Sequence, residues 1–184
     1  MHRVNNLMEM IKGRRSIRSY IEKDVPEELL SQVLEAFRWA PSWANTQCWE
    51  VIVIKDGSMK RKLQGCMPAK GNPAVNAVVQ APVVLVVCAR LGVSGYYKDA
   101  PVTKFGDWFM YDLGIASQNL CLAAHSLGLG TVIVGVFDHD RAGDVLNVPE
   151  GYEPVTFIPV GYPEKTGPAP RRREISEFTH YETF

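Results

Sequence analysis

Residues 107–127 read DWFMYDLGIASQNLCLAAHSL. With His125 neutral, nothing after Asp112 in this stretch carries a formal charge. Its composition predicts a long helix, closed by Gly128 and Gly130, because glycine readily adopts the backbone that ends helices. Trp108, Phe109, Leu113, Ile115, Leu120, Leu122 and Leu127 spread apolar side chains around most of the circumference. A helix that is apolar nearly all round is buried on all sides. A chain of 184 residues offers little cover for such a helix, which points to a subunit interface.

The flanking segments supply the other layers. Residues 4–12 predict a short helix that stops at Gly13. Residues 26–39 predict an amphipathic helix, with Pro26, Glu27 and Glu28 in its first turn and Leu29, Leu30, Val33, Leu34 and Phe37 on one face. Pro41 ends it. Residues 51–54 (VIVI) and 82–89 (PVVLVVCA) predict buried strands, the first closed by an Asp56-Gly57 turn signal. A short helix at 74–80 lies between them, and 90–105 predicts a Gly/Tyr/Pro loop. Thr131 to Phe137 and Val155 to Val160 predict two more strands, separated by a short helix at 139–147 behind Asp138. The tail from Gly161 predicts an extended arm. The strand intervals are irregular, so α+β or α/β with four or five strands is indicated, without a regular βαβ alternation.

Composition narrows the function classes. Hydrophobic residues make up 46% and charged residues 22%, which excludes a disordered chain and a coiled-coil rod. Lys+Arg and Asp+Glu both number 20, so the basic excess of a nucleic-acid coater or polybasic membrane binder is absent. The longest apolar run, Ala81 to Ala89, falls well short of the roughly 20 residues of a membrane span. The first residues, MHRVNN, hold no apolar signal core, so a cytoplasmic location is expected. Cys48, Cys66, Cys88 and Cys121 form no CxxC pair, and reduced, mostly buried thiols are expected.

Four clusters could carry chemistry. Arg14-Arg15-Ser16-Ile17-Arg18 offers forked donors for an anion, although a solvated basic turn has the same composition. Pro41-Ser42-Trp43-Ala44-Asn45-Thr46-Gln47-Cys48-Trp49 packs polar groups beside indole rings, suited to covering a flat heteroaromatic ring or to a plain polar loop. Gly128 to Gly135 superficially looks like a dinucleotide fingerprint, but its third glycine is late and the order is helix, turn, strand; that reading is rejected. Gly135 inside a strand still suits close approach of a ligand. Pro170-Arg171-Arg172-Arg173 could close a phosphate site from the opposite chain end, or be a solvated run. No GxSxG elbow, HExxH or P-loop motif is present. His125 in the apolar helix suits a satisfied core histidine, and Asp138-His139-Asp140 suits a helix cap better than a metal site.

Taken together these segments resemble one family. RRSIRSY (14–20), VPEELL (25–30) and APSWANTQCWE (40–50) resemble the opening of the FMN-dependent nitroreductases. DLGIASQNLCLAAHSLGLGT (112–131) resembles their central helix, and PVTFIPVGYPEK (154–165) with PRRR (170–173) their last strand and basic arm. The resemblance implies an α+β three-layer sandwich, a central, mostly antiparallel sheet flanked by helices, in an interlocked homodimer. It implies one domain over 1–184, with 163–184 as an extended C-terminal arm. By motif, Arg14, Arg15, Ser16 and Arg18 would hold the phosphate, ribityl chain and pyrimidine edge of FMN. Pro41, Ser42, Trp43, Asn45 and Gln47 would approach the flavin, partly from the second subunit. Val134 and Gly135 would lie by the ring, and Arg171 and Arg173 would complete the phosphate site.

The implied function is oxidoreduction: hydride from NADH or NADPH, then reduction of a nitroaromatic, quinone or related small acceptor by a ping-pong mechanism. No side-chain nucleophile, metal, nucleic acid or membrane is required. Dehalogenase-like or ene-reductase-like chemistry on the same fold, or a flavin-binding redox sensor, are the alternatives. The sequence departs from the family pattern in a short 57–81 linker, where Lys70 or Asn76 could substitute for a flavin contact. It departs again at Cys48 and at Arg173-Glu174-Ile175.

Overall fold

The computed structural model describes residues 3–68 and 70–184. Its organising element is β2 (Val83–Arg90), in which residues 83–89 are all buried. β-Branched residues fit a pleated surface, and a strand buried on both faces reads as a continuous apolar run. β2 pairs antiparallel with β1 (Trp49–Ile54) on one side and β6 (Tyr152–Gly161) on the other. β5 (Gly130–Thr131) then joins β6, giving the antiparallel order β1-β2-β6-β5.

The strand alternation divides the interior in two. Val84, Val86 and Cys88 face α3 (Gly57–Gln64), α4 (Val75–Gln80) and α6 (His139–Leu146), around Leu63, Val78, Ala142 and Phe157. Val83, Leu85 and Val87 face α2 (Glu27–Arg38) and α5 (Phe109–Ser126), around Leu30, Val33, Phe37, Leu113 and Leu120. The chain is therefore α+β, helices on both faces of an antiparallel sheet. α1 (Arg3–Gly13) packs near the far end of α5.

Several expectations are adjusted. Asp56 begins a helix instead of closing a strand in a turn: its carboxylate accepts from the Met59 N–H at 2.8 Å and caps α3. The loop at 90–105 contains a small hairpin, β3 (Tyr96–Tyr97) with β4 (Ala100–Pro101). The third strand is only Gly130–Thr131, followed by a single bridge at Val134–Phe157. Past Thr131 only Val134 stays paired, its carbonyl accepting both the Phe157 N–H and the Thr156 hydroxyl, while Ile133, Gly135 and Val136 turn outward. The cap at Asp138 is as expected, and all four cysteines are free and buried.

α5 is not enclosed all round within one chain. Asp112, Leu113, Ala116, Ser117, Leu120, Cys121 and Ala124 face inward, and Met110, Tyr111, Gly114 and Gln118 face outward. Apolar composition decided the expectation; the three-layer packing covers one side only.

Residues 14–21 are fastened to the sheet edge. Ser16 bridges Thr131 in parallel, and the Ile17 N–H donates to the Thr131 carbonyl at 2.9 Å. The buried Tyr20 hydroxyl donates towards the Ile17 and Pro159 carbonyls at 2.9 and 3.2 Å, and burial pushes its phenol pKa above the ordinary value. Gly130 makes this fit possible: a Cβ there would lie 2.5 Å from Ile17 Cγ1 and 2.9 Å from Pro163 Cγ. Gly130→Ala is expected to destabilise the fold by about 1–3 kcal/mol through overpacking. Thermal melting reads this as a drop of roughly 2–4 °C per kcal/mol. An unchanged melt would show that the edge is looser than this packing implies.

Candidate functional site

Two groups of polar residues stand out, at opposite ends of α5. The first surrounds a cleft of about 300 Å³ lined by Arg14, Arg15, Ser16, Arg18, Gly167, Pro168, Pro170 and Arg172. The N-terminal and C-terminal basic runs, about 150 residues apart in sequence, meet here. Among the described residues none of these arginines pairs with a carboxylate. Arg15 donates to the Lys12 and Arg14 carbonyls at 2.6 and 2.8 Å, and Arg172 to the Pro170 and Arg171 carbonyls at 3.1 and 3.4 Å. Four guanidinium groups around one cleft repel one another, so the arrangement favours a multiply charged anion.

The tail enters in a different register from the one expected. Arg172 lines the cleft, whereas Arg171 and Arg173 do not; the Arg173 guanidinium lies 5.7 Å from the centre of the Phe178 ring. The reason is that residues 163–174 form no strand, so the alternation of an extended ladder does not govern their side chains. Only Ile175–Glu177 form a short 3₁₀ turn.

His125 was expected as a satisfied core residue. Instead it is half-buried, has no hydrogen-bond partner among the described residues, and borders a small recess with Gly13, Arg14, Arg15 and Thr131. Burial, and then the charges of Arg14 and Arg15, lower its pKa from the ordinary 6.5.

The second group is the segment 41–47. Pro41, Asn45 and Gln47 line a cleft of about 380 Å³ with Arg38, Trp39 and Ala40. The Ser42 hydroxyl accepts from the Gln47 N–H at 2.9 Å. Trp43 lies 6.0 Å from the Trp108 ring, which in turn is 5.4 Å from Tyr111 and 5.8 Å from Phe105, ring centre to ring centre. The Trp43 N–H donates to both carboxylate oxygens of Asp112 at 3.1 Å. That contact lies in the first turn of α5, whereas His125 lies in its last. Thirteen residues separate them, about 20 Å along a helix that rises roughly 1.5 Å per residue.

Val134 is buried and bonded to Phe157 through both backbone groups, at 2.9 and 3.0 Å. Gly135 beside it is exposed, and a Cβ there would meet nothing within 4 Å. Asn72 donates its side-chain amide to the Val136 carbonyl at 3.3 Å. Lys70 and Asn76, the two substitutes weighed for the 57–81 linker, are both exposed. No sequence signal marks Asn72, Ser94 or Thr156; Asp112 is visible only as the last charge before an uncharged run.

Known proteins share this arrangement of elements. The nitroreductase family pattern matches residues 11–162. A protein of Methanothermobacter thermautotrophicus, whose name gives the alternatives NADH dehydrogenase and NAD(P)H nitroreductase, is 37% identical over 162 residues, covering 86% of this chain and 78% of its own. An FMN reductase [NAD(P)H] of Bacillus subtilis is 30% identical over 98% of this chain and 75% of its own. An FMN-dependent nitroreductase structure from Clostridium difficile superposes with a TM-score of 0.79 at 26% identity, covering 96% and 99% of the two chains. The chain belongs to the nitroreductase family, as an NAD(P)H-dependent enzyme of the nitroreductase/FMN reductase type.

Proposed function

We propose that the protein takes hydride from NADH or NADPH and reduces a nitroaromatic, quinone or related small acceptor by a ping-pong mechanism, on FMN held between two copies of the chain. The observation that carries this is the cleft where Arg14, Arg15, Arg18 and Arg172 gather around Ser16 without a carboxylate among them. A phosphate monoester fits that donor set: forked guanidinium groups match its oxygens, and its charge offsets their mutual repulsion. When bound, FMN supplies two-electron exchange between the reduced nicotinamide and the acceptor.

The chain's own residues bind and orient. Arg14, Arg15, Arg18 and Arg172, with the Ser16 hydroxyl, anchor the phosphate end. The exposed, unobstructed backbone at Gly135 suits contact with a planar ring. Pro41, Ser42, Trp43, Asn45 and Gln47 form the second wall. One chain holds this wall about 20 Å along α5 from the arginine end, so a complete site needs the wall of a second copy. The outward face of α5, with Met110 and Tyr111 exposed, supports the same pairing. So does the arm at 163–184 of this single-domain chain, where Ile175, Phe178 and Tyr181 expose apolar surface that a partner would cover.

The protein should purify yellow, with about one FMN per chain and a dimeric mass by sedimentation. A stable monomer carrying FMN would break the shared-site reading. Arg18→Ala and Arg172→Ala should each weaken FMN binding about 10- to 150-fold, since a hydrogen bond to a charged group contributes roughly 1.5–3 kcal/mol. Arg171→Ala should change it little, and titration of the apoprotein by flavin fluorescence separates the three.

His125 gives a pH signature. Its folded pKa lies below the ordinary 6.5, so on acidification the unfolded chain takes a proton that the folded chain refuses. Stability is therefore lost as pH falls through about 6.5. A phosphate beside Arg14 and Arg15 offsets their charge and raises the His125 pKa. The melting temperature of the cofactor-free protein should fall more steeply between about pH 7 and pH 5.5 than that of the FMN-loaded protein. His125→Asn should bring the two slopes together; parallel slopes in the native chain would disconnect His125 from the phosphate end.

A further inference from the structure

Asp112 is 1% exposed and, among the described residues, faces no cation. A buried carboxylate is costly unless its oxygens are well supplied with donors. Here the supply is specific. The Trp43 N–H reaches both oxygens at 3.1 Å, the Ser94 hydroxyl donates at 2.7 Å, and the Cys48 thiol lies at 3.6 Å. Two of the three donors bracket the segment 43–48, and the third comes from the loop that leads into α5. The first turn of α5, at the positive end of the helix dipole, gives further support.

The held segment is in an unfavourable conformation. Ala44, Asn45 and Gln47 have φ values of 44°, 55° and 48°, in the left-handed region that side chains other than glycine avoid. In the same segment Thr46 Oγ1 is buried without a hydrogen-bond partner. Its internal bonds, Asn45 N–H to the Ser42 carbonyl at 3.0 Å and Thr46 N–H to the Trp43 carbonyl at 2.8 Å, close a turn but do not tie that turn to the body of the protein. Such a conformation persists only where its surroundings over-determine it, and it is found where a loop is preset for a ligand.

We infer that Asp112 is a positioning residue: fixed by Ser94, it holds the 42–47 loop in its left-handed form through Trp43 and Cys48, so that Ser42, Asn45 and Gln47 are preset for the flavin. This rests on the proposed function, in which that loop forms one wall of the FMN site. Cys48 fits the arrangement, because it supplies a thiol donor where a residue lacking a donor could only pack. Burial, followed by the neighbouring Asp112, pushes the Cys48 pKa up to about 11, which keeps the donor protonated.

The test is Asp112→Asn, which keeps size and shape but turns one acceptor oxygen into an amide donor facing the Trp43 N–H. Two readouts are taken well below the melting temperature. Backbone hydrogen exchange in the cofactor-free protein should quicken in residues 41–48 and not in β2. The FMN dissociation constant, from flavin fluorescence, should rise about tenfold or more, as for a buried donor left unpaired. Adding Ala44→Gly should recover several-fold of that loss, because glycine takes the left-handed backbone without penalty. If Asp112→Asn does not fold, Ser94→Ala removes one donor, leaves the carboxyl in place, and should move both readouts the same way by a few-fold.

Unchanged FMN affinity, with or without faster exchange, overturns the inference, as does a loss that Ala44→Gly leaves untouched. A merely structural Asp112 would lower the melting temperature and leave the affinity of the folded protein as it was. A wild-type protein that takes up no FMN removes the functional reading and the cofactor role of Asp112 together. That outcome is distinguished from failure of the inference alone, in which the wild type binds FMN and Asp112→Asn binds it equally well.

Discussion

Everything in this molecule is arranged around a strand with no solvent side. β2 is buried on both faces from Val83 to Ala89, so apolar cover must come from two directions at once. The sequence supplies it with helices on each side, and alternate β2 residues choose between them. Burying each aliphatic side chain is worth roughly 1.5–3 kcal/mol, and this central row is where those gains accumulate. Polar function is thereby excluded from the middle and pushed to the rim. The arginines sit beyond β5, at the sheet edge where Ser16 meets Thr131, and the 41–47 loop sits where α2 gives way to β1.

The two rims differ in how they are held. The arginine rim is tied by backbone bonds to the sheet and by the buried Tyr20 hydroxyl, yet its guanidinium groups rest only on carbonyls and repel one another. The loop rim is strained in its backbone, and its electrostatics are satisfied through Asp112. One is a fixed frame with unbalanced charge, the other a carboxylate supplied with neutral donors and holding an unfavourable frame. An anion would relieve the first by adding negative charge, whereas contact with the loop in its left-handed form would leave the strain of the second in place.

What the sequence made legible follows from the range of the forces involved. Local signals were good guides: the apolar stripe of α2, the valine run of β2 and the cap at Asp138 all lie within a turn or two of what they determine. The strand expected over 131–137 shrank to two residues and one bridge because its pairing depends on β6, more than twenty residues away, which meets it only at Gly130, Thr131 and Val134. At the candidate site the arginine cluster and the 41–47 loop could be named from residue type alone. The expectation took Arg171 and Arg173 over Arg172, but side-chain alternation holds only in a strand and the arm is not one. Asp112 serves Trp43 across 69 positions and Ser94 across 18, and no periodicity records such pairings.

α5 connects the two rims, and it does so as a ruler. Asp112 fixes one end of the scale and His125 marks the other, on one rigid rod of thirteen steps. Inserting or deleting a single residue between them would change the span by only about 1.5 Å, but it would turn one end relative to the other by about 100°. The inward face would then rotate out of the α2 contact, and Asp112 and the arginine end would no longer share a common orientation. The number of residues in the rod is therefore held by what its two ends must do. Change in length is left to exposed loop positions such as 97–102, where the chain can reshape its surroundings without losing its gauge.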